Sequence, residues 1–327
     1  MVKSKRGTGL LALTLALSVG LCGCARPAEA PAAKHKVAVV VKTSESEFFE
    51  SAFAGAKAAA AEYNLNLTLR APVTEEDYET QNRMVRQEVA AGTEALILSA
   101  IDYEKNAPAV EEAARAGVKI VAMDSGVNTD MVSTYIGTDN YAAGRMAAQA
   151  ALQSDFDELR VGLINFDVNT ANGQEREQGV RDALAESERA EIVAALNAFS
   201  QADDAQECTE ELMREHPEIN VLIAFNEPTS VGAARAVEKL GRKEGTWLVG
   251  FDSNVETVDG LQTGVVDSLI VQNPYAMGYL GVEIAGKLIT GTGDPVEKII
   301  DTSTVLIDRN NMFTAEGQKA LFPFRSR

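Results

Sequence analysis

Polar side chains stand where four apolar runs of the sequence stop. Asp124 follows "KIVAM", Asn226 follows "VLIAF", Asp252 follows "WLVGF", and Gln272 and Asn273 follow "SLIV". If these runs are parallel strands, their carboxyl ends share one edge, where open α/β sheets bind ligands. Carboxylates and amides would then converge there as acceptors and donors of hydrogen bonds. Asp or Asn after a strand is equally suited to cap a helix, and Asn226 fits that alternative as well.

A pair of phenylalanines, Phe48 and Phe49, follows the first apolar run, "VAVVV", and the polar stretch "KTSESE". Phe49 begins an apolar stripe with the spacing of one helix face, which continues at Ala52, Phe53, Ala56, Ala60 and Tyr63. Phe48 lies about 100° round the helix from this stripe, and the spacing of Ser44 and Glu47 predicts a capping box. We therefore expect Phe48 at the mouth of the cleft. An aromatic face beside carboxylates and amides suits a sugar, which stacks its C–H face and pairs its hydroxyls.

Short runs rich in Val, Ile and Leu alternate with helical stretches along the chain. The runs lie at residues 37–41, 64–69, 95–99, 118–123, 133–136, 160–165, 191–196, 219–225, 246–251 and 265–271. Helical stretches end in glycine just before a strand at Gly92, Gly117 and Gly241. This alternation predicts an α/β fold whose parallel sheets are covered on both faces. Ten strands in about 300 residues suit two domains better than one sheet.

The N-terminal segment predicts an exported protein with a lipid anchor. A basic start is followed by the apolar run "LLALTLALSVGL", which is too short for a membrane-spanning helix, and by "LCGC". The last motif resembles a lipobox, which implies a signal peptide over residues 1–23 and lipidation of Cys24. The alternative is an ordinary secretory signal that is cleaved at Ala28 or Ala30. Residues 24–36 are rich in Pro and Ala and read as a tether.

Charge and cysteine content narrow the function. Loss of the signal would remove three bases and leave 27 against 48 acids, a formal charge of −21. Such acidity argues against a nucleic-acid partner or an anionic lipid surface. Once Cys22 is removed and Cys24 carries lipid, Cys208 is alone and no internal disulfide can form.

The sequence offers no catalytic motif and no metal or cofactor site. No G-x-S-x-G, H-E-x-x-H, P-loop or G-x-G-x-x-G opens a helix after a strand. The two histidines, His35 and His216, lie in the tether and at a helix end. Asp124 and Asp252 form a conceivable acid/base pair, but ligand binding explains them without a reaction. We expect a protein that is not an enzyme.

Seven motifs occur in the order found in one family. They are "SESEFFESAFAGAKAAA", "VAMDSGV", "YIGTDNYAAGRMAAQ", "NGQEREQGV", "AFNEPTSVGAARAV", "VGFDSN" and "IVQNPYAMGYLGVE". With them the chain resembles the type I periplasmic binding proteins, nearest the ribose-binding branch, from residue 37 to about 310. The resemblance implies two Rossmann-like lobes with parallel sheets, joined by a three-strand hinge, with the ligand in the cleft between them.

The resemblance also implies which residues contact the ligand. On the first lobe these are Ser46, the stacking pair Phe48 and Phe49, and Asp124. On the second lobe they are the cationic donor Arg176, the opposing aromatic Phe199, and the polar residues Asn226, Asp252 and Gln272. The chain departs from the ribose binders at Ser46, Glu47 and Ser125. The departures argue against ribose itself, so the ligand is expected to be another pentose, a hexose or a polyol.

The same resemblance places the lobes and the partners. One lobe should hold residues 37–138 and 273–301, the other 139–272 and 302–327, with Asp139 and Asn140 near the hinge. Such a protein would act as a monomer, close around the ligand by the hinge motion typical of periplasmic binding proteins, and deliver the ligand to an ABC-type permease. The alternative is a receptor that presents its closed form to a sensor kinase or chemoreceptor.

Overall fold

A computed structural model describes residues 34–322, and these residues form two six-stranded sheets. The predicted signal peptide, Cys24 and most of the tether lie outside the described residues. The first sheet has the order β11-β5-β4-β3-β1-β2 and is parallel throughout. Its strands are β1 (Lys36–Val40), β2 (Asn66–Arg70), β3 (Ala95–Leu98), β4 (Lys119–Met123), β5 (Thr134–Gly137) and β11 (Ile299–Asp301).

The second sheet repeats this order as β12-β10-β9-β8-β6-β7, and only its edge strand β12 runs antiparallel to its neighbour. Its strands are β6 (Leu159–Asn165), β7 (Ala190–Asn197), β8 (Val221–Ala224), β9 (Trp247–Phe251), β10 (Ser268–Val271) and β12 (Val305–Asp308). The ten strands predicted from the sequence correspond to β1–β10. The prediction missed the short strands β11 and β12.

Helices cover both faces of each sheet. They are α1 (Glu47–Glu62), α2 (Tyr78–Ala90), α3 (Ala107–Arg115), α4 (Asn140–Ala151), α5 (Ala171–Ala185), α6 (Ala202–Glu215), α7 (Glu227–Lys239), α8 (Val255–Thr263), α9 (Pro274–Thr290) and α10 (Ala315–Leu321). Successive residues of β1 alternate between two core clusters, with Val37 and Val39 in one and Ala38 and Val40 in the other. Burial on both faces explains why the strands read as continuous apolar runs. The predicted two-lobed α/β fold is confirmed.

Three connections lead from one sheet to the other. Helix α4 follows β5 of the first sheet but packs against β8, β9 and β10, whereas α9 follows β10 and packs against β3, β4 and β5. The third connection joins β11 to β12. We use "first lobe" for the first sheet with α1, α2, α3 and α9, and "second lobe" for the second sheet with its helices. The residue-level boundaries predicted from the sequence stay a prediction.

The start of α1 differs from the prediction. Its N-cap is Ser46, whose hydroxyl accepts a hydrogen bond from the Phe48 amide at 3.2 Å. The predicted capping box of Ser44 and Glu47 is wrong, because the helix begins two residues later than that pattern requires. The predicted glycine ends are confirmed, since Gly92, Gly117 and Gly241 all have positive φ angles just after a helix.

Helices α1 and α9 pack so closely that glycine is required on both. A Cβ atom at Gly55 would overlap the carbonyl oxygen of Tyr275, and one at Gly278 would overlap that of Ala52. The obstacles are backbone atoms, which cannot move aside as the end of a flexible side chain could. This contact fixes the first turn of α1, and with it Phe48, relative to the first sheet.

We predict that Gly278→Ala lowers the free energy of unfolding by about 1–3 kcal/mol, the usual cost of overpacking. Urea denaturation followed by circular dichroism measures this change. Gly245→Ala is the matched control, because a Cβ there would have no atom within 4 Å, and it should change stability by no more than about 0.5 kcal/mol. Equal stability of the two variants would show that the helices can separate without cost.

Candidate functional site

A cavity lies between the two lobes, where the carboxyl ends of both sheets face each other. It is lined by Lys42, Ser46, Phe48, Phe49, Glu75, Asp124, Phe166, Asn172, Arg176, Asn226, Glu227, Pro228, Asp252 and Gln272. Eight of the residues predicted to contact a ligand are therefore brought together: Ser46, Phe48, Phe49, Asp124, Arg176, Asn226, Asp252 and Gln272. That they bind a ligand stays a prediction.

The ninth predicted residue, Phe199, is not brought to the cavity. It follows β7 with a positive φ angle of 46°, and 49% of its surface is exposed. The second lobe instead presents Phe166, which follows β6 and is 1% exposed. The Nζ atom of Lys42 lies 5.4 Å from the centre of the Phe166 ring, within the range of a cation–π contact.

On the first lobe, Asp124 projects into the cavity from the end of β4. Its φ angle of 62° is uncommon for a residue other than glycine. The carboxylate accepts a hydrogen bond from the Ser99 hydroxyl at 2.7 Å, and the Nζ atom of Lys42 lies 3.9 Å from it. Asn172 of the second lobe donates to the same carboxylate at 3.4 Å and accepts from Lys42 at 3.2 Å. This first-lobe ion pair is thus completed by an amide from the opposite lobe.

On the second lobe, Asp252 occupies the equivalent position at the end of β9, also with a φ angle of 62°. The side chain of Gln272 donates to its two oxygens at 3.1 and 2.9 Å. Burial raises the pKa of Asp252 to about 7, against the opposing effects of the Arg176 charge and the Gln272 hydrogen bonds. Burial likewise raises the pKa of Glu75 to about 7, although Lys42 favours its charged form.

Arg176 enters the cavity from α5 and is 1% exposed. Its Nε atom donates to the side chain of Asn140 at 3.0 Å and its Nη1 atom to the carbonyl of Phe225 at 2.7 Å. The Nη2 atom is buried and has no hydrogen-bond partner among the described residues. Since buried donors are nearly always paired in folded proteins, this one is a candidate for pairing with a bound molecule.

Asn226 and Asn273 are helix N-caps, which was the alternative to ligand binding for an Asp or Asn that follows a strand. Asn226 accepts from the Thr229 amide at 3.0 Å in a capping box at the start of α7, and Asn273 accepts from the Ala276 amide at 3.1 Å. Asn226 nevertheless lines the cavity, where its side-chain amide donates to the Ser200 hydroxyl at 2.6 Å. Neither Asp124 nor Asp252 is the N-cap of a described helix.

Phe48 and Phe49 differ in how deeply they are buried. Both line the cavity, but Phe49 is buried in the core of the first lobe, whereas Phe48 is partly exposed. The two rings meet edge to face with their centres 5.2 Å apart. Phe53, expected on the core stripe, is only partly buried and packs at the margin of the same core.

The predicted hinge residues lie at the connection between β5 and α4. Asp139 is the N-cap of α4, and the side chain of Asn140 donates to the Tyr135 hydroxyl at 3.3 Å. Beside them the Thr138 hydroxyl donates to Gln272 at 2.9 Å and accepts from Thr304 at 3.3 Å. Thr138, Gln272 and Thr304 stand on the three connections between the sheets, so the crossings are held together side by side.

Sequence reasoning missed Lys42, Glu75, Phe166, Asn172 and Glu227. Lys42 lies two residues beyond β1 and Phe166 directly follows β6, so the strand-end rule contained the signal for both. Glu75, Asn172 and Glu227 come from a loop and from the first turns of two helices, and no periodicity marks them. Within residues 34–322 no group of acidic, histidine or cysteine side chains is arranged to hold a metal ion. Nor is any helix in that range long and apolar enough to cross a membrane.

Two α/β lobes around a polar, aromatic-walled cavity define the class of two-lobed solute-binding proteins. Residues 37–293 match the model of the periplasmic binding protein domain. The chain belongs to this family, which consists of solute-binding proteins rather than enzymes and implies an extracytoplasmic location.

Individual relatives agree with this assignment. The D-ribose/D-allose-binding protein of Pseudomonas aeruginosa is 27% identical over 271 residues, which cover 80% of this chain and 85% of the relative. A carbohydrate transporter solute-binding protein from Agrobacterium radiobacter, solved with D-arabinose, superposes with a TM-score of 0.84 at 25% identity, covering 89% of this chain and 99% of that one. An ABC transporter solute-binding protein from Agrobacterium vitis, solved with D-fucose, superposes with a TM-score of 0.84 at 28% identity. The match covers 88% of this chain and 99% of that one.

We predict that Asp252 makes the protein less stable as the pH rises from about 4 to about 7. In this window the folded state keeps a proton on Asp252, whose pKa is raised from 3.8 to about 7, while the unfolded chain has lost it. Asp252→Asn removes this titration and keeps a side chain that tolerates the positive φ angle. The free energy of unfolding of the variant minus that of the parent should therefore increase by up to about 1.4 kcal/mol for each pH unit in this window.

Urea denaturation of both proteins at a series of pH values measures this difference. Asp130→Asn is the control, because Asp130 is an exposed carboxylate of the same type, and its profile should follow that of the parent. If the Asp252→Asn profile also runs parallel to the parent, Asp252 is ionised in the folded protein throughout the window.

Proposed function

We propose that this protein captures a small sugar or polyol between its lobes, as a monomer, and delivers it to an ABC-type permease in the membrane. The observation that carries the proposal is the buried Arg176 Nη2 donor, which has no partner among the described residues and belongs to a cavity lined by carboxylates and phenylalanines. A hydroxyl oxygen would accept from this donor, and the other hydroxyls would donate to the carboxylates.

The proposed ligand contacts are those that line the cavity. Ser46, Phe48, Phe49 and Asp124 would approach the ligand from the first lobe, and Arg176, Asn226, Asp252 and Gln272 from the second. We add Lys42 and Phe166, and assign to Phe166 the aromatic role expected of Phe199. The names of the relatives, which bind D-ribose, D-allose, D-arabinose and D-fucose, support a monosaccharide over other solutes.

A thermal-shift screen of pentoses, hexoses and polyols should give a saturable rise in melting temperature for one or a few compounds. At 100 times the dissociation constant, binding adds about 2.7 kcal/mol to the free energy of unfolding, a shift of several degrees for a protein of this size. Calorimetry should show binding without turnover. If an amino acid or a purine nucleoside binds and no sugar or polyol does, the proposed substrate class is wrong.

Two phenylalanine variants then test where the ligand sits. Phe48→Ala should weaken binding of the best compound about tenfold through lost stacking and contact area. Phe53→Ala, one turn further along α1 and outside the cavity, should lower stability and leave affinity unchanged. The opposite pattern would place the ligand elsewhere.

We further propose that Cys24 carries a lipid that anchors the protein to the membrane. The support is the order of basic start, apolar run and "LCGC" in the sequence. In cells given labelled palmitate, Cys24→Ala should abolish labelling and release the protein from the membrane fraction. Cys22→Ala, which alters the neighbouring cysteine, should keep both label and membrane association. Retention of the Cys24→Ala protein in the membrane fraction would contradict the anchor.

A further inference from the structure

Two buried glutamates, one from each lobe, accept hydrogen bonds from serines of the opposite lobe. Glu75, in the first-lobe loop between β2 and α2, accepts a hydrogen bond from the hydroxyl of Ser200 in the second lobe at 2.9 Å. Glu227, the first residue of α7 in the second lobe, accepts from the hydroxyl of Ser46 in the first lobe at 3.0 Å. Each lobe thus offers one glutamate and one serine to the other. We call the pairs Glu75–Ser200 and Glu227–Ser46 the two clasps.

Each clasp is tied to the scaffold behind it. Ser200 also accepts from Asn226, the N-cap of α7, at 2.6 Å. Glu227 accepts from the side chain of Asn254, the N-cap of α8, at 3.1 Å. On the second-lobe side both clasps are therefore tied to residues that cap helices, whereas Glu75 belongs to a loop of the first lobe.

The Glu227 clasp has a further partner in the backbone. The Phe48 amide, in the first turn of α1, lies 3.3 Å from the Glu227 carboxylate. Amides in a first turn have no partner within their own helix, and the helix dipole favours a negative charge beside them. Glu227 therefore supplies α1 with a hydrogen-bond acceptor from the opposite lobe, a contact that can exist only while the lobes are together.

Glu75 is the second buried carboxyl group that lies between the lobes. Glu75 is 8% exposed, and its charged neighbours are Lys42 and Asp124 at the ends of first-lobe strands and Glu76 in its own loop. From the second lobe, the Ser200 hydroxyl donates a hydrogen bond to Glu75. A carboxylate that is buried by closure needs donors to replace water, and Ser200 is the donor that closure brings.

We propose that the two clasps hold the lobes together in the absence of ligand, so that Glu75 and Glu227 are positioning residues that set the population of the closed form. Apparent affinity falls in proportion to the fraction of competent molecules, so weaker clasps would also weaken binding. The effect on affinity rests on the proposed function; the effect on closure does not.

Hydrogen exchange of ligand-free, full-length protein tests closure directly. The Tyr103 amide of the first lobe donates to the Asn169 carbonyl of the second at 3.0 Å, so its exchange reports separation of the lobes. Glu75→Ala and Glu227→Ala should each speed exchange at Tyr103 about tenfold, the effect expected when a buried hydroxyl donor loses its acceptor. Amides of β1 and β3, inside the first sheet, should keep their parent rates.

Matched variants separate the clasp from other effects. Glu75→Gln and Glu227→Gln keep an acceptor oxygen and should exchange close to the parent rate. Glu76→Ala, an exposed neighbour in the same loop, should have no effect. Ser200→Ala should act like Glu75→Ala, and the double variant should exchange no faster than Glu75→Ala alone.

Unchanged exchange at Tyr103 in both alanine variants would overturn the proposal, and so would an equal rise at Tyr103 and in β1 and β3, which would indicate general destabilisation. Affinity for the compound with the largest thermal shift is measured on the same variants and should fall by a similar factor. If no sugar or polyol binds but exchange at Tyr103 rises as expected, the clasps stand and the proposed function fails.

Discussion

Charged side chains between the two lobes are buried away from water, and each of them therefore needs a partner. Lys42 and Arg176 are each 1% exposed, yet both carry a full positive charge into the interior. An unpaired charge there would cost several kcal/mol. Lys42 forms an ion pair with Asp124 of its own lobe and donates a hydrogen bond to Asn172 of the other. Arg176 donates hydrogen bonds to Asn140 and to a backbone carbonyl. Because Asn172 belongs to the opposite lobe, Lys42 has both of its partners only while the lobes are together.

Each lobe presents one aspartate to the cavity in the same backbone conformation. Strands β4 and β9 occupy equivalent places in the two sheets, and each is followed by an aspartate with a φ angle of 62°. The amide of Asp124 donates to Ile136 on β5, and that of Asp252 donates to Ile270 on β10, both at 2.9 Å. An uncommon backbone conformation persists only where the surroundings determine it, and such positions cluster at ligand sites. A molecule in the cavity would therefore face one such carboxylate on each side.

What the sequence could predict depends on which part of the chain positions a residue. Asp124, Asp252 and Gln272 were found because each directly follows a strand of its own lobe, and apolar runs show where strands stop. Phe199 lies outside the cavity because the turn after β7 directs it to the surface, which no periodicity reveals. Glu75 and Glu227 were missed for a different reason. Their partners Ser200 and Ser46 lie far away in sequence and become neighbours only through closure, so the pattern around either residue carries no trace of the pair.

The hydrogen bonds already made within the cavity restrict what a ligand can be. Gln272 uses its side-chain nitrogen on Asp252 and its oxygen on Thr138, and Asn226 is engaged at both side-chain atoms. Arg176 offers its Nη2 donor and the Lys42 ammonium offers N–H groups beyond the one on Asn172, whereas the carboxyl groups of Asp124 and Asp252 offer oxygens with further lone pairs. The cavity thus offers both donors and acceptors. A hydroxyl group both donates and accepts, so a molecule with many hydroxyls could pair with the carboxyl groups and with the two cationic side chains. This mixture of donors and acceptors supports the proposal of a polyhydroxylated ligand.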